Sequence, residues 1–227
     1  VLLEKQGLDE VVLRKLDVDA TNHPLDMAEW HDMVERMLKD YDRKVTLGVV
    51  GKYVELQDSY ISLTEALRHA AMANEANLDI KWINAELVEE GEIDLEAELK
   101  DVDCILVPGG FGSKGLEGKI SAIKYARENK VPFFGICLGM QCAVVEYARH
   151  IGMTGANTTE ANAETAYPVI DILPDQQDVE EKGAMRLGLY PCKVAAGSLT
   201  EKAYGEALIY ERHRNRYEVN NAFREEL

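Results

Sequence analysis

The spacing of apolar positions divides the chain into three textures. In the first 43 residues apolar side chains recur at helical intervals. Leu8, Val11, Val12 and Leu16 form a short apolar helical face, and a polar break, DVDATNHP, runs to Pro24. Trp30, Met33, Val34, Met37 and Leu38 then follow an i, i+3, i+4, i+7, i+8 pattern, with Asp26 placed to cap the helix. The charged run KDYDRK at 39–44 precedes an abrupt change of period. Residues 1–43 read as a helical connector with one sticky face, which docks on another surface or packs on its own domain.

From residue 44 strands and helices alternate. VTLGVVGKY (45–53), DIKWIN (79–84), DCILVPGG (103–110) and VPFFGI (131–136) predict strands. Residues 58–73, 115–129 and 138–150 predict helices between and after them. Tyr60, Leu63, Leu67, Ala70 and Ala71 mark the core face of the first, and Ile120, Ile123 and Ala126 that of the second. Continuous apolar strands alternating with helices predict an α/β fold. Its flavodoxin-like or Rossmann-like sheet is mostly parallel and flanked by helices on both faces. Ligands of such sheets sit at the carboxyl ends of strands, so chemistry is expected near 51–53, 108–112 and 135–139. After residue 155 the polar stretch ANTTEANAETA reads as loop. YPVIDIL (167–173), MRLGLYPCKV (185–194) and ALIYERHRNRYEVNN (207–221) then predict a small antiparallel extension.

Composition narrows the function. Of 227 residues, 46% are hydrophobic, which excludes a disordered chain and allows a large core. A net charge of −16 argues against a nucleic-acid partner. No apolar stretch approaches the ~18–20 residues of a membrane span. The start, VLLEKQGLDE, lacks both an initiator Met and the basic region of a signal peptide, so a fragment or processed product is expected. Cysteines at 104, 137, 142 and 192 do not make a disulfide scaffold, and a reducing, cytoplasmic setting is expected. Their spacing also matches no zinc pattern, so no metal site is expected.

The sharpest chemical signal is Gly135-Ile136-Cys137-Leu138-Gly139. An apolar strand runs into Cys137 and a helix starts at once, the thiol counterpart of a nucleophile elbow. Small residues on both sides relieve the crowding of a strand that reverses into a helix. A thiolate there faces the helix N-terminus, which favours an anion, and the Leu138 N–H is a natural oxyanion donor. Against this stands the habit of free cysteine to be a buried small hydrophobe, which is the reading for Cys104 and Cys142. Cys192, in a later strand, has nothing to activate it.

Pro108-Gly109-Gly110-Phe111-Gly112 follows the strand CILV, and its bare N–H groups could complete an oxyanion hole with that of Leu138. Gly110-x-Gly112-x-x-Gly115 also satisfies a dinucleotide fingerprint. However, it lies on a middle strand, and position 135 offers no ribose-binding acid. Lys114 does not complete a P-loop. Three arginines within Glu211–Glu218 stand out in so acidic a chain. Strand alternation would put Arg212, Arg214 and Arg216 on one face, for an anionic ligand or for pairing with surrounding acids. A cysteine nucleophile normally needs a histidine base. His23 and His31 lie in the connector, His69 and His150 in helices and His213 among the arginines, so spacing identifies no base.

PGGFG, GICLGMQ, TTE, MRLG and RHRNRYEVNN together resemble the class I, triad-type glutamine amidotransferase domain of the CTP synthases. The early segments LLEKQGLDEVVLRKL and VTLGVVGKYVELQDSYISLTEALRHA extend that resemblance over essentially the whole chain. It implies residues 1–43 as the end of an amidoligase domain with its connector, and 44–227 as the glutaminase domain. It implies Cys137 as the nucleophile that forms a glutamyl thioester. Gly110 and Leu138 become backbone donors, and the run Leu138-Gly139-Met140-Gln141 lines the glutamine site. Gln141 and Glu160 hold the substrate, and the backbone of Arg216 meets its α-carboxylate end. Asn215 departs from the family's RHRHRYE. The partners implied are L-glutamine and an amidoligase domain where UTP, activated by ATP with Mg, is aminated to CTP. GTP is the implied allosteric activator and a tetramer the implied assembly; the glutaminase domain itself needs no cofactor. The triad His and Glu of the family lie in an H-P-E segment, a string absent from this sequence. The expectation is a domain truncated at its C-terminus that binds glutamine and hydrolyses it poorly. A non-catalytic glutamine-binding or regulatory module on the same fold is the alternative.

Overall fold

A computed structural model describes residues 1–19, 25–172 and 185–227. His23, Pro24 and the last residue of the expected strand 167–173 lie outside the described residues. The described chain separates into two compact units, Val1–Thr46 with Leu56–Ile80, and Leu47–Glu55 with Lys81–Leu227. The 43/44 division read from the sequence falls at the start of strand β1 (Arg43–Gly51), which the units share.

In the first unit the amphipathic stretches form α1 (Leu2–Lys5), α2 (Leu8–Lys15) and α3 (Ala28–Leu38). Gly7, at φ +67°, makes the break between the first two. The Ala28 N–H donates to Asp26 Oδ1 at 3.0 Å, so Asp26 supplies the capping bond although Met27 is the residue at the cap. Leu8, Val11, Val12, Leu16, Trp30, Met37 and Leu38 are all exposed. A 3-10 turn, Gln57–Tyr60, leads into α4 (Ile61–Ala73). Asn77 exchanges hydrogen bonds with the backbone of Tyr41 in both directions, at 3.2 and 2.8 Å.

The second unit carries the sheet that positions the site. Its strand order is β2 (Ala76–Asn84), β1, β3 (Cys104–Val107), β4 (Phe133–Gly135). β1 pairs with β3, and β3 with β4, in parallel. Residues Leu47–Gly51 are consecutively buried, as the unbroken apolar run requires. Helix α7 (Leu116–Asn129) packs its expected face, Ile120, Ile123 and Ala126, into the core, and α8 (Leu138–His150) adds Leu138, Cys142 and Val145. The two helices are clamped by Arg127, which donates from Nε and one terminal nitrogen to Glu146 at 2.8–3.1 Å. Arg149 makes a second two-pronged pair with Glu117, at 2.7 and 2.9 Å. Two short helices, α5 (Ala85–Glu89) and α6 (Leu95–Leu99), were not expected from periodicity; Asn84 and Asp94 cap them.

β4 corrects one expectation. The fully apolar run 131–136 predicts a strand of a sheet covered on both faces, but only three residues are strand and Phe134 is 62% exposed. β4 lies at the edge of the sheet, with β3 as its neighbour, so one flank has no strand to cover it among the described residues.

The extension forms two small sheets. β5 (Asn157–Thr158), β6 (Pro168–Ile172) and β9 (Tyr217–Val219) make one, with β5 parallel and β9 antiparallel to β6. β7 (Arg186–Lys193) and β8 (Leu208–Asn215) make the other, antiparallel, and a short helix, α9 (Leu199–Tyr204), connects them. The run 207–221 is thus two strands, interrupted at Arg216. No helix among the described residues is long and apolar enough to cross a membrane.

Candidate active site

The elbow is built by close backbone approach. A Cβ on Gly139 would stand 2.0 Å from the Val107 carbonyl oxygen, and one on Gly135 would stand 2.6 Å from the Gly139 carbonyl. Only glycines let α8 start this close to β3 and β4. Cys137, between them, takes φ +53° and ψ −110°, a strained conformation for a side-chain-bearing residue. Its thiol is exposed and stands at the cap position of α8. The Ile136 N–H is held by Val107 at 3.0 Å and the Gly139 N–H by Ile136 at 2.8 Å. No hydrogen bond from the Leu138 or Gly110 N–H is found among the described residues. Gly109 closes on the elbow from β3, with its Cβ position 3.3 Å from Cys137 Cβ.

Two cavities open on Cys137. The smaller, about 280 Å³, is lined by Gly110, Phe111, Gln141, Glu160, Arg216 and Tyr217 among others. Gln141 is buried and its Nε2 donates to the Tyr217 carbonyl at 2.9 Å, which fixes the direction of its amide. The Glu160 carboxylate accepts from the Gly112 N–H at 3.0 Å, tying the loop after β3 to the loop after β5. Arg216 Nε is buried with no hydrogen-bond partner. The larger cavity, about 680 Å³, is lined by Ile136, Met140 and Gln141 on one side and by residues of β7, β8 and β9 on the other.

The structure therefore brings Cys137, Gly110, Gln141, Glu160 and Arg216 around one small cavity, and Met140 to the larger one. Leu138 and Gly139 line neither; Leu138 packs into the core and Gly139 against β3. Of the three strand ends expected to concentrate chemistry, 108–112 and 135–139 meet here, while 51–53 reach neither cavity. The alternation that was to put three arginines on one face ends at Asn215. Arg212 and Arg214 face the larger cavity and Arg216 the smaller. Of the dinucleotide string, Gly110 lines the small cavity but Gly115 backs onto Ala85 and Glu86, 3.2 Å from a Cβ it could not carry. Phe111, Met185 and Tyr217, which spacing gives no role, also line the small cavity, as does Asn215, the departure from the family's run. Phe111 and Tyr217 flank nominated residues, but a neutral ring beside a motif is no signal of its own.

The other thiols behave as buried or unassisted groups. Burial pushes the Cys142 thiol up to about 12. Burial, with Asp103 beside it, also raises that of Cys104. His213 lines the larger cavity, but its Nδ1 is 3.3 Å from Asn215 Oδ1 and its ring stacks edge-on against Tyr190. No histidine is hydrogen-bonded to Cys137 among the described residues.

A strained, exposed cysteine thus stands at a strand-to-helix turn, on a small cavity it shares with Gln141, Glu160 and Arg216. The family model for class-I glutamine amidotransferases matches residues 55–227, and the chain belongs to that family. Its similar relatives are CTP synthases. That of Clostridium acetobutylicum is 53% identical over 229 residues, which is 100% of this chain and 42% of the relative. That of Bacillus pumilus is 53% identical over 227 residues, or 99% of this chain and 42% of the relative. The chain thus spans under half the length of these relatives. Among solved structures, the glutaminase domain of Trypanosoma brucei CTPS with bound acivicin matches with a TM-score of 0.72 at 36% identity. The match covers 80% of this chain and 70% of that one.

Proposed function

We propose that this chain is the glutaminase part of a CTP synthase, with Cys137 as its nucleophile. The carrying observation is the position of Cys137, exposed at the strained elbow and sharing one cavity with Gln141 and Glu160. The thiolate attacks the γ-carboxamide carbon of glutamine, and the resulting oxyanion is received by the N–H groups of Leu138 and Gly110. The C–N bond then breaks, ammonia leaves with the proton it needs, and water cleaves the glutamyl thioester to glutamate. Glu160 suits the substrate's ammonium, and the Arg216 segment its carboxylate end. On this reading the base and its carboxylate come from the family's H-P-E segment, outside these 227 residues. By likeness to the CTP synthases, the ammonia aminates UTP in an amidoligase domain that uses ATP and Mg. GTP is the activator, and the assembly is a tetramer in the cytoplasm.

The test is covalent labelling with acivicin followed by peptide mapping. Modification of Cys137, blocked by glutamine, is expected. Modification of Cys104, Cys142 or Cys192 instead removes the assignment. A module on the same fold that binds glutamine without cleaving it is the alternative reading. That reading is identified by saturable glutamine binding with no thioester trapped on acid quench in the complete protein.

A further inference from the structure

Lys119 is a side chain the reaction above does not use, and its position is costly. It lies in the opening turn of α7 and is 2% exposed. An ammonium is disfavoured both by burial and by the positive end of a helix. No carboxylate oxygen among the described residues lies within 4.0 Å of its Nζ; Glu86, across from it on α5, is already paired with Lys52 at 3.5 Å. Burial lowers its pKa from the ordinary lysine value. Cys142 of α8 opposes that fall, Lys52 after β1 adds to it, and Glu86 and Glu89 of α5 oppose it. What the ammonium does reach is the glycine loop. Nζ stands 3.7 Å from where a Gly110 Cβ would be, and Leu138 Cδ2 stands 3.6 Å from the same point.

We propose that Lys119 is a positioning residue for the oxyanion hole, its buried ammonium seated behind Gly110 to fix the orientation of the Gly109–Gly110 peptides. The inference rests on the glutaminase reading. Its physical basis is dipolar. In a planar trans peptide the C=O and N–H point in opposite directions. A glycine segment has no side chain to restrict its rotation. A cation on one side therefore favours orientations with the oxygen toward it and the N–H away from it. The donor is set before charge develops, which is the condition for effective oxyanion stabilisation.

The experiment compares Lys119→Met with the unsubstituted complete protein by glutamine hydrolysis, by iodoacetamide alkylation of Cys137 and by thermal midpoint. Methionine has similar length and no charge. The expected result is kcat lowered at least ten-fold with KM changed less than three-fold. Alkylation, which displaces iodide and builds no oxyanion, keeps its rate, and the midpoint is unchanged or higher because a buried charge is gone. Unchanged kcat overturns the proposal. So does a kcat loss matched by an equal loss in alkylation, since that describes a distorted elbow. If Lys119→Met does not fold, Lys119→Gln is read by the same criteria, and failure of both to fold assigns Lys119 to the core instead. Absence of glutamine hydrolysis in the unsubstituted protein is a separate outcome, and it overturns the glutaminase reading along with this one.

Discussion

Two glycines near Cys137 are required for different reasons, and substitution separates them. Gly139 has no room: a methyl group there meets the Val107 carbonyl oxygen at 2.0 Å, backbone against backbone. Gly112 has open space around its Cβ position but sits at φ +82°. Gly139→Ala should cost about 3 kcal/mol or prevent folding, as overpacking against a rigid neighbour does. Gly112→Ala should cost about 1 kcal/mol, the penalty of a left-handed alanine. Urea unfolding midpoints check both. Cys142 supplies a pH prediction. Burial pushes its thiol from the ordinary value of 9.0, which the unfolded chain regains, up to about 12 in the folded protein. The unfolded state therefore releases its proton first. The stabilising contribution of this group is whole below pH 9 and is lost as pH rises towards 12. Unfolding free energy measured across that window should fall in the parent protein and fall less in Cys142→Ala. A parallel decline in both would contradict the assignment.

Between elements, Arg127 and Glu146 clamp α7 on α8. Glu146 is 5% exposed and its oxygens depend on Arg127. Arg127→Ala strands a buried carboxylate and should cost about 3 kcal/mol. Lys124→Ala removes only an exposed 4.0 Å pair with Glu128 and should cost under ~0.5 kcal/mol. Chemical denaturation of the two variants distinguishes them. The helices so clamped were legible in the sequence because thirteen or fourteen residues display a period. α5, α6 and α9, at five or six residues, are too short to display one, and their caps Asn84, Asp94 and Ser198 are ordinary loop residues until a helix is known to follow. The exposure of Phe134 was illegible for another reason: being an edge is a property of the sheet, not of the strand. Within the site, Cys137 and the glycine loop were readable from local spacing. The bonds from Glu160 to Gly112 and from Gln141 to Tyr217 bridge 48 and 76 residues, a proximity that spacing does not encode.

At the scale of the molecule, the chain accounts for 42% of the length of the CTP synthases it resembles, so the proposed synthesis divides between this part and another. Such a division has a chemical signature. If Cys137 only generates ammonia, a complete protein lacking the thiol still accepts ammonia from solution at the distant site. Cys137→Ala should therefore abolish glutamine-dependent CTP formation, with a loss of several orders of magnitude. Formation from ammonium salts should stay within about two-fold, since the replacement is small and lies at an exposed position. The ammonia-dependent rate should also rise with pH as ammonium gives way to free ammonia, in parent and variant alike. Both activities are followed by the absorbance change from UTP to CTP. Loss of both in a folded variant would mean that Cys137 serves the synthetic site directly. Retention of glutamine-dependent synthesis would mean that another group carries the acyl transfer.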